Sequence, residues 1–198
     1  MRNISLGLAT LVVVAIAVPA YGQCTCSVAK VDNGWCSDCK VGYFDAVKVK
    51  SKTLFKALDG EAVDVSAVKC SLCKKAIATD GFCAECNLGF VGKQKYSSKV
   101  AYELAKGDSK DPSKIACTSC RKNSDKSGWC DSCKVGMVGN VAYKDKDDYK
   151  NAVGAREIVL AAAKSKCETC AVAMVTDGTC AACKVVYKGG KKTKLTKP

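Results

Sequence analysis

The chain has 198 residues, with 16 cysteines, no histidine and a formal net charge of +13. The lack of histidine excludes Ser–His and Cys–His catalytic couples, so we expect a protein that is not an enzyme. Bulky core residues are scarce, at 4 Phe, 2 Trp and 3 Met. We therefore expect no single large core, but small modules that need disulfides or metal ions as staples.

The first 22 residues have the pattern of a secretory signal peptide. Arg2 supplies the positive charge, an uncharged apolar run extends from Ile4 to Val18, and Ala20 and Gly22 are the small residues of a cleavage site. The run is shorter than the roughly 20 residues of a membrane-spanning helix. The segment predicts an exported protein, periplasmic or extracellular, with no membrane span after its removal.

The cysteines repeat along the chain in four groups. Groups two to four read C-x2-C-x9-C-x2-C, whereas the first opens one residue short, with Cys24-Thr25-Cys26. Such self-similarity is typical of an array of supersecondary units. It divides the chain into residues 23–69 (the first, atypical module), 70–116, 117–166, 167–187 (a truncated fourth module) and 188–198 (a basic tail).

Other residue types recur with the cysteines. The third cysteine follows Trp35, Phe82 or Trp129, and Thr179 takes that place in the fourth module. A second set of aromatics lies further along each of the first three modules: Phe55, Tyr102 and Tyr149. We expect both sets to form small module cores rather than a ligand platform. Glycines recur as well, at 34, 81, 128 and 178, at 42, 89 and 136, and at 60, 107 and 154.

The local pattern predicts a hairpin followed by a helix in each module. The first cysteine pair would lie beside a short strand, and the Asn-Gly or Asp-Gly pair would form a tight hairpin turn. Val47 and Val49 alternate as a third strand would. Ser98 can cap a helix over 99–106, and Asp147 can cap a longer one. The fourth module lacks this helix, and we expect the tail to be disordered.

Two C-x2-C pairs joined by a short hairpin bring four sulfurs toward one point, where a soft-tolerant divalent ion takes tetrahedral coordination. The pattern resembles the zinc-ribbon family over the cysteine segments. That resemblance implies small metal-stapled α+β repeats, with four zinc-ribbon-like β-hairpin modules joined by short helices and up to four zinc ions. The implied ligands are Cys24, Cys26, Cys36 and Cys39; Cys70, Cys73, Cys83 and Cys86; Cys117, Cys120, Cys130 and Cys133; and Cys167, Cys170, Cys180 and Cys183.

Alternatives to zinc remain open at the level of sequence. Exported proteins with even numbers of cysteines commonly form disulfides. Iron can occupy the same four-sulfur shell. The first group departs from the family pattern, so its site is the one expected to be weaker, bridged or empty.

The sequence thus predicts an exported metal-binding protein, with structural zinc supporting an array that binds a protein partner. Metal sequestration or buffering, and thiol redox or electron transfer, are the alternatives. Nucleic acid is not the expected partner, because each zinc held by four thiolates carries a charge of about −2 and offsets much of the basic excess.

Overall fold

The computed structural model describes residues 26–31, 33–124 and 126–195. Its helices are α1 (Cys26–Val31), α2 (Lys52–Leu58), α3 (Ser71–Ala78), α4 (Lys99–Ala105), α5 (Thr118–Asn123), α6 (Lys146–Lys164) and α7 (Glu168–Thr176). Its first strands are β1 (Trp35–Cys36), β2 (Val41–Phe44), β3 (Val47–Val49), β4 (Glu61–Ala62), β5 (Phe82–Cys83), β6 (Leu88–Val91) and β7 (Gln94–Tyr96). The others are β8 (Asp108–Ser109), β9 (Ser127–Cys130), β10 (Val135–Val138), β11 (Val141–Tyr143), β12 (Thr179–Cys180), β13 (Val185–Lys188) and β14 (Lys191–Lys194).

The signal-peptide prediction lies outside the described residues. Within those residues, no helix is both long enough and apolar enough to cross a membrane.

Each module follows one order of elements: a short helix, a short strand, a turn and a β-hairpin, with a second helix after the first three hairpins. The antiparallel sheets have the strand orders β1-β2-β3, β4-β7-β6-β5, β8-β11-β10-β9 and β12-β13-β14. The α+β class and the repetition are as predicted. The prediction that the first cysteine pair lies beside a strand is wrong, because this pair lies at the start of a helix: α3, α5 or α7.

The Asp-Gly and Asn-Gly pairs end these short helices and do not form hairpin turns. Asp80 has a left-handed φ of 48°, and the backbone N–H of Gly81 donates to the Ala76 carbonyl at 2.7 Å. This is a Schellman-type helix end in which an aspartate, and not the usual glycine, has the left-handed conformation. Asn33-Gly34 and Asp177-Gly178 repeat it, with N–H donation to Ala29 and Ala173.

The side chain of each left-handed residue then fixes the hairpin against the helix. Asp80 Oδ1 accepts a hydrogen bond of 2.9 Å from Gly92 N, in the turn between β6 and β7. Asn33 and Asp177 accept equivalent bonds from Asp45 and Gly189. One residue therefore ends a helix and positions the neighbouring hairpin.

Consecutive modules are joined through their sheets. After α2 the chain forms β4, which pairs with β7 of the second module, and after α4 it forms β8, which pairs with β11 of the third. Among the described residues that follow the third hairpin no such strand forms, because α6 continues through Gly154 as one 19-residue helix. The fourth sheet accordingly has three strands.

A glycine in each of the first three hairpins receives an aromatic ring from the following helix. A Cβ added to Gly89 would lie 2.3 Å from the Tyr102 ring, which also stacks on Phe82 with centroids 5.5 Å apart. Phe55 with Trp35 and Tyr149 with Trp129 repeat the pair. The recurring aromatics are core residues, as expected, and the glycines allow the helix to lie on the sheet.

The expectation of no large core is wrong. One buried cluster includes residues of all four modules, among them Leu54, Ala101, Val159 and Val175. Helix α7 contacts α2, α4 and α6, and Ser98 Oγ donates to the Val175 carbonyl at 2.5 Å. Small side chains such as Ala101 and Ala152, both fully buried, let the helices approach closely without many bulky residues.

The basic tail was expected to be disordered, but its first part is a strand. Lys191–Lys194 pairs with Val185–Lys188 across a turn in which Gly189 and Gly190 have φ of 55° and 72°. Positive φ at both central residues is the geometry of a type I′ hairpin turn.

A buried carboxyl group joins the first module to the third. Asp45, in the turn between β2 and β3, is 1% exposed. Its Oδ2 lies 3.3 Å from Arg156 Nε on α6, and Oδ1 lies against Gly139. Burial raises the pKa of Asp45 to about 8, although the Arg156 charge acts in the opposite direction.

Replacing the hairpin glycines tests the ring packing. We expect Gly89→Ala to lower the free energy of unfolding of the metal-loaded protein by about 1–3 kcal/mol, since the Tyr102 ring must move. The matched control is Gly154→Ala, where an added Cβ meets no atom within 4 Å. That change should stabilise α6 by about 0.5–1 kcal/mol. Denaturant titration measures both, and equal effects of the two substitutions would contradict this packing.

Asp45 predicts a pH dependence of stability. Between the pKa of an unfolded Asp, about 3.9, and the folded value of about 8, only the folded chain holds this proton. The free energy of unfolding should therefore fall as pH rises from 5 to 8, by at most about 1.4 kcal/mol per pH unit. In Asp45→Asn this component should vanish, whereas the exposed control Asp147→Asn should retain it. An unchanged slope in Asp45→Asn contradicts the assignment.

Candidate metal centres

The cysteines converge into separate groups, one in each module. Cys70, Cys73, Cys83 and Cys86 form one group whose sulfurs all lie within 4.8 Å of one another, and the third and fourth modules repeat it. Those groups are Cys117, Cys120, Cys130 and Cys133, and Cys167, Cys170, Cys180 and Cys183. In the first module Cys26, Cys36 and Cys39 converge in the same way, and Cys24 lies outside the described residues. Each group can hold a metal ion.

The sulfur separations suit a tetrahedral ion. The Cys117 and Cys130 sulfurs are 3.9 Å apart, and those of Cys167 and Cys180 are 3.8 Å apart. A zinc ion with bonds of about 2.3 Å to four sulfurs places them about 3.8 Å from one another. No disulfide bond joins the described cysteines of the second, third and fourth modules.

The first pair of each complete group is held by a helix start. Cys70 is the N-cap of α3, and its sulfur accepts from the Cys73 backbone N–H at 3.4 Å. Cys117 and Cys167 are the N-caps of α5 and α7. The unpaired N–H groups of a helix start favour a thiolate. Accordingly, hydrogen bonding from the Cys73 backbone lowers the pKa of Cys70, and that from Cys170 lowers the pKa of Cys167 to about 7.

The second pair lies where a short strand turns into the hairpin. Cys83 ends β5, and β6 begins five residues later, after a tight turn in which Asn87 has φ 52°. Lys40, Lys134 and Lys184 occupy the equivalent left-handed position. Side chains other than glycine adopt this conformation at a cost of about 1 kcal/mol. The turn is thus retained in all four modules despite its strain.

Burial follows the same order in each complete group. The second and third cysteines are buried, the first is intermediate and the fourth is exposed. Cys86, Cys133 and Cys183 therefore place one sulfur-bearing side chain at the protein surface. A metal ion in such a group would be enclosed on the protein side and within reach of solvent on the other.

Four thiolates are poorly accommodated in one group without a cation. Burial raises the pKa of Cys73 and Cys120 well above the usual range, and hydrogen bonding to Cys170 and the other thiols raises that of Cys183 to about 12. The low pKa of the first cysteine and the high pKa of its neighbours mean that the group does not ionise completely alone. A divalent ion removes this conflict by binding all four thiolates.

The sulfurs also form the cores of their modules. Cys73 and Cys83 pack with Ala76 and Phe90 in one small buried cluster. In the third module Met137 occupies the place of Phe90, beside Cys120 and Cys130, and in the fourth Tyr187 does so. Holding the sulfurs together therefore holds each hairpin on its short helix.

The third group differs from the others in its surroundings. Ser132 Oγ lies 3.1 Å from Cys130 Sγ and lowers the pKa of this thiol to about 6. A cleft of about 580 Å³ opens beside the group, lined by Cys117, Cys120 and Met137 among others. Sequence reasoning missed both features. The serine between the third and fourth cysteines, where the second module has Glu85, was the available signal for the first.

Removing one sulfur should remove one ion. For Cys120→Ser we expect the metal content of the purified protein to fall by one ion per chain, because only three of the four thiolates remain and the tetrahedral shell is incomplete. Ser132→Ala, which removes a neighbour of the sulfur but no ligand, should keep the full content. Native mass spectrometry counts the ions. An unchanged count in Cys120→Ser would contradict a requirement for all four sulfurs in this group.

All twelve predicted ligands of modules two to four converge as the spacing indicated, and so do three of the four in the first. The exact zinc-ribbon repeat is not confirmed; a helix carries the first cysteine pair of the second module. No protein-family model, no curated protein and no solved structure matches this chain.

Proposed function

We propose that the chain is an exported, non-enzymatic protein in which structural zinc ions stabilise an array that binds a partner protein. The observation that carries this proposal is the position of the cysteine groups. Each complete group joins the start of a short helix to a hairpin, and its buried sulfurs are the centre of that module's core.

The dimensions of the modules favour a structural role for the metal. The strand that leads into each second cysteine pair has only two to four residues, so that it contributes few ladder hydrogen bonds to hold the cysteines in place. Metal binding to a site that forms only on folding contributes its binding free energy to the stability of the fold. The ions would thus hold each hairpin against the short helix of its own module.

Zinc is the ion that best suits these groups. It accepts four thiolates in a tetrahedron without redox chemistry, and the sulfur separations of 3.8–3.9 Å fit that shell. A closed four-sulfur shell leaves no position for a substrate or a reactive water, in line with a role outside catalysis. Iron could occupy the same four-sulfur shell, and elemental analysis of the purified protein distinguishes it from zinc.

Metal handling is a second candidate because of the third group. The cleft beside Cys117 and Cys120 would let a small chelator approach this site, and Cys133 is exposed. In the second module the larger Phe90 side chain, 1% exposed, occupies the position of Met137. A protein that delivers metal would release it from the third site first.

Release kinetics separate the two functions. With a chromogenic chelator in excess, we expect all zinc to leave at the rate at which helical circular dichroism is lost, because structural ions are released on unfolding. Metal handling predicts instead a fast phase of one ion without loss of structure, slowed in Met137→Phe, which fills the cleft. Fast release of several ions from a fully folded protein would contradict the structural role.

A further inference from the structure

The outer edge of β14 is open, whereas the same edge is covered in the second and third modules. β14 is the last strand of the order β12-β13-β14, and all four of its residues are exposed. The corresponding strands β7 and β11 each carry a further strand, β4 or β8, on that edge. No described residue takes this place beside β14.

The covering strands share a chemical pattern. In the second module Glu61 pairs with Lys95, and their side chains form an ion pair of 2.8 Å. In the third module Asp108 pairs with Ala142. Each strand is extended by one further backbone bond, from Val63 N to the Lys93 carbonyl at 3.1 Å and from Lys110 N to the Asn140 carbonyl at 2.7 Å. An acidic residue thus stands opposite the same hairpin position in both modules.

That hairpin position is Lys192 in the fourth module. Lys95 lies opposite Phe90 in its hairpin, and Lys192 lies opposite Tyr187, the equivalent of Phe90. Lys192 therefore corresponds to Lys95, the residue that receives Glu61.

The backbone of β14 presents the groups that an added strand needs. Leu195 N donates to the Lys184 carbonyl at 3.0 Å, and bonded and non-bonded pairs alternate along an antiparallel ladder. With the register of β13 and β14, the N–H and C=O groups of Lys192 and Lys194 point away from β13. They are free to pair with an incoming chain.

The positive charge of the β14 edge favours an incoming strand that carries negative charge. Lys191, Lys192 and Lys194 are exposed, and within the described residues none of them forms an ion pair. Lysines on an open edge disfavour pairing with a second lysine edge, which argues against two copies of β14 joining. The same charges favour a strand that carries carboxylates.

We propose that β14 binds an extended, acidic segment of a partner protein by strand addition, with a carboxylate placed opposite Lys192 as Glu61 is placed opposite Lys95. Backbone hydrogen bonds supply affinity in this mode and side chains supply selectivity. The inference names the class of partner for the array, and in that respect it rests on the proposed function.

The chain offers its own probe for this edge. A capped synthetic peptide with the sequence of residues 57–66, which includes the strand Glu61–Ala62, is titrated into the metal-loaded protein and followed by amide NMR shifts. We expect saturable shifts confined to β14 and its neighbours. Lys192→Pro removes an outward N–H without touching the pairing with β13, and should weaken binding about tenfold. Lys192→Gln, which keeps the N–H, should weaken it less, with a smaller salt dependence.

A backbone-blocked peptide separates strand addition from plain charge attraction. The same peptide N-methylated at the glutamate that corresponds to Glu61 keeps its charge but loses one ladder donor, and we expect it to bind at least tenfold more weakly. Equal binding of the methylated peptide, full binding to Lys192→Pro, or no binding to a protein that retains its metal overturns the proposal. Metal content and helical circular dichroism are measured in each sample. A folded protein without metal would tell against the structural zinc, whereas a folded, metal-loaded protein that does not bind the peptide would tell against the edge.

Discussion

The convergence of four cysteine sulfurs at the start of a short helix is the interaction on which each complete module depends. The helix start supplies two sulfurs, and the short strand with its following turn supplies two. The second and third cysteines are among the main buried groups of each complete module. Their pKa values move in opposite directions when they stand together without a cation. A single divalent ion would resolve that conflict and fix the helix to the hairpin in one step.

The modules are not structurally independent, because the segments that connect them pack in the common core and also add strands to the next sheet. The helix after each of the first three hairpins joins the central cluster, and in two cases the next residues complete the following sheet. The fourth module contributes α7 to the same cluster. Helices α2, α4, α6 and α7 therefore occupy the centre, and the exposed fourth cysteine of each complete group lies at the surface.

The cysteine spacing was enough to predict the groups, and Ser98 correctly marked the start of α4. The short helices were missed because Asp80-Gly81 suits both a hairpin turn and a left-handed helix end, and only the neighbouring Ala76 and Ala78 hinted at the second. The common core was missed because it consists mainly of Val, Ala, Leu and Tyr, which a count of Phe, Trp and Met overlooks. Strand β14 was missed because lysine predicts solvation, whereas the Gly189-Gly190 turn and pairing with β13 determined its structure.

Native mass spectrometry of the mature protein purified without added metal, together with a count of free thiols after denaturation, tests the metal-held module most directly. We predict three or four zinc ions per chain, with all or nearly all of the 16 cysteines reactive as thiols. The range reflects the first group, of which the structure describes three cysteines. A protein with no bound metal and few free thiols would contradict the account, because disulfides and not ions would then hold each helix to its hairpin.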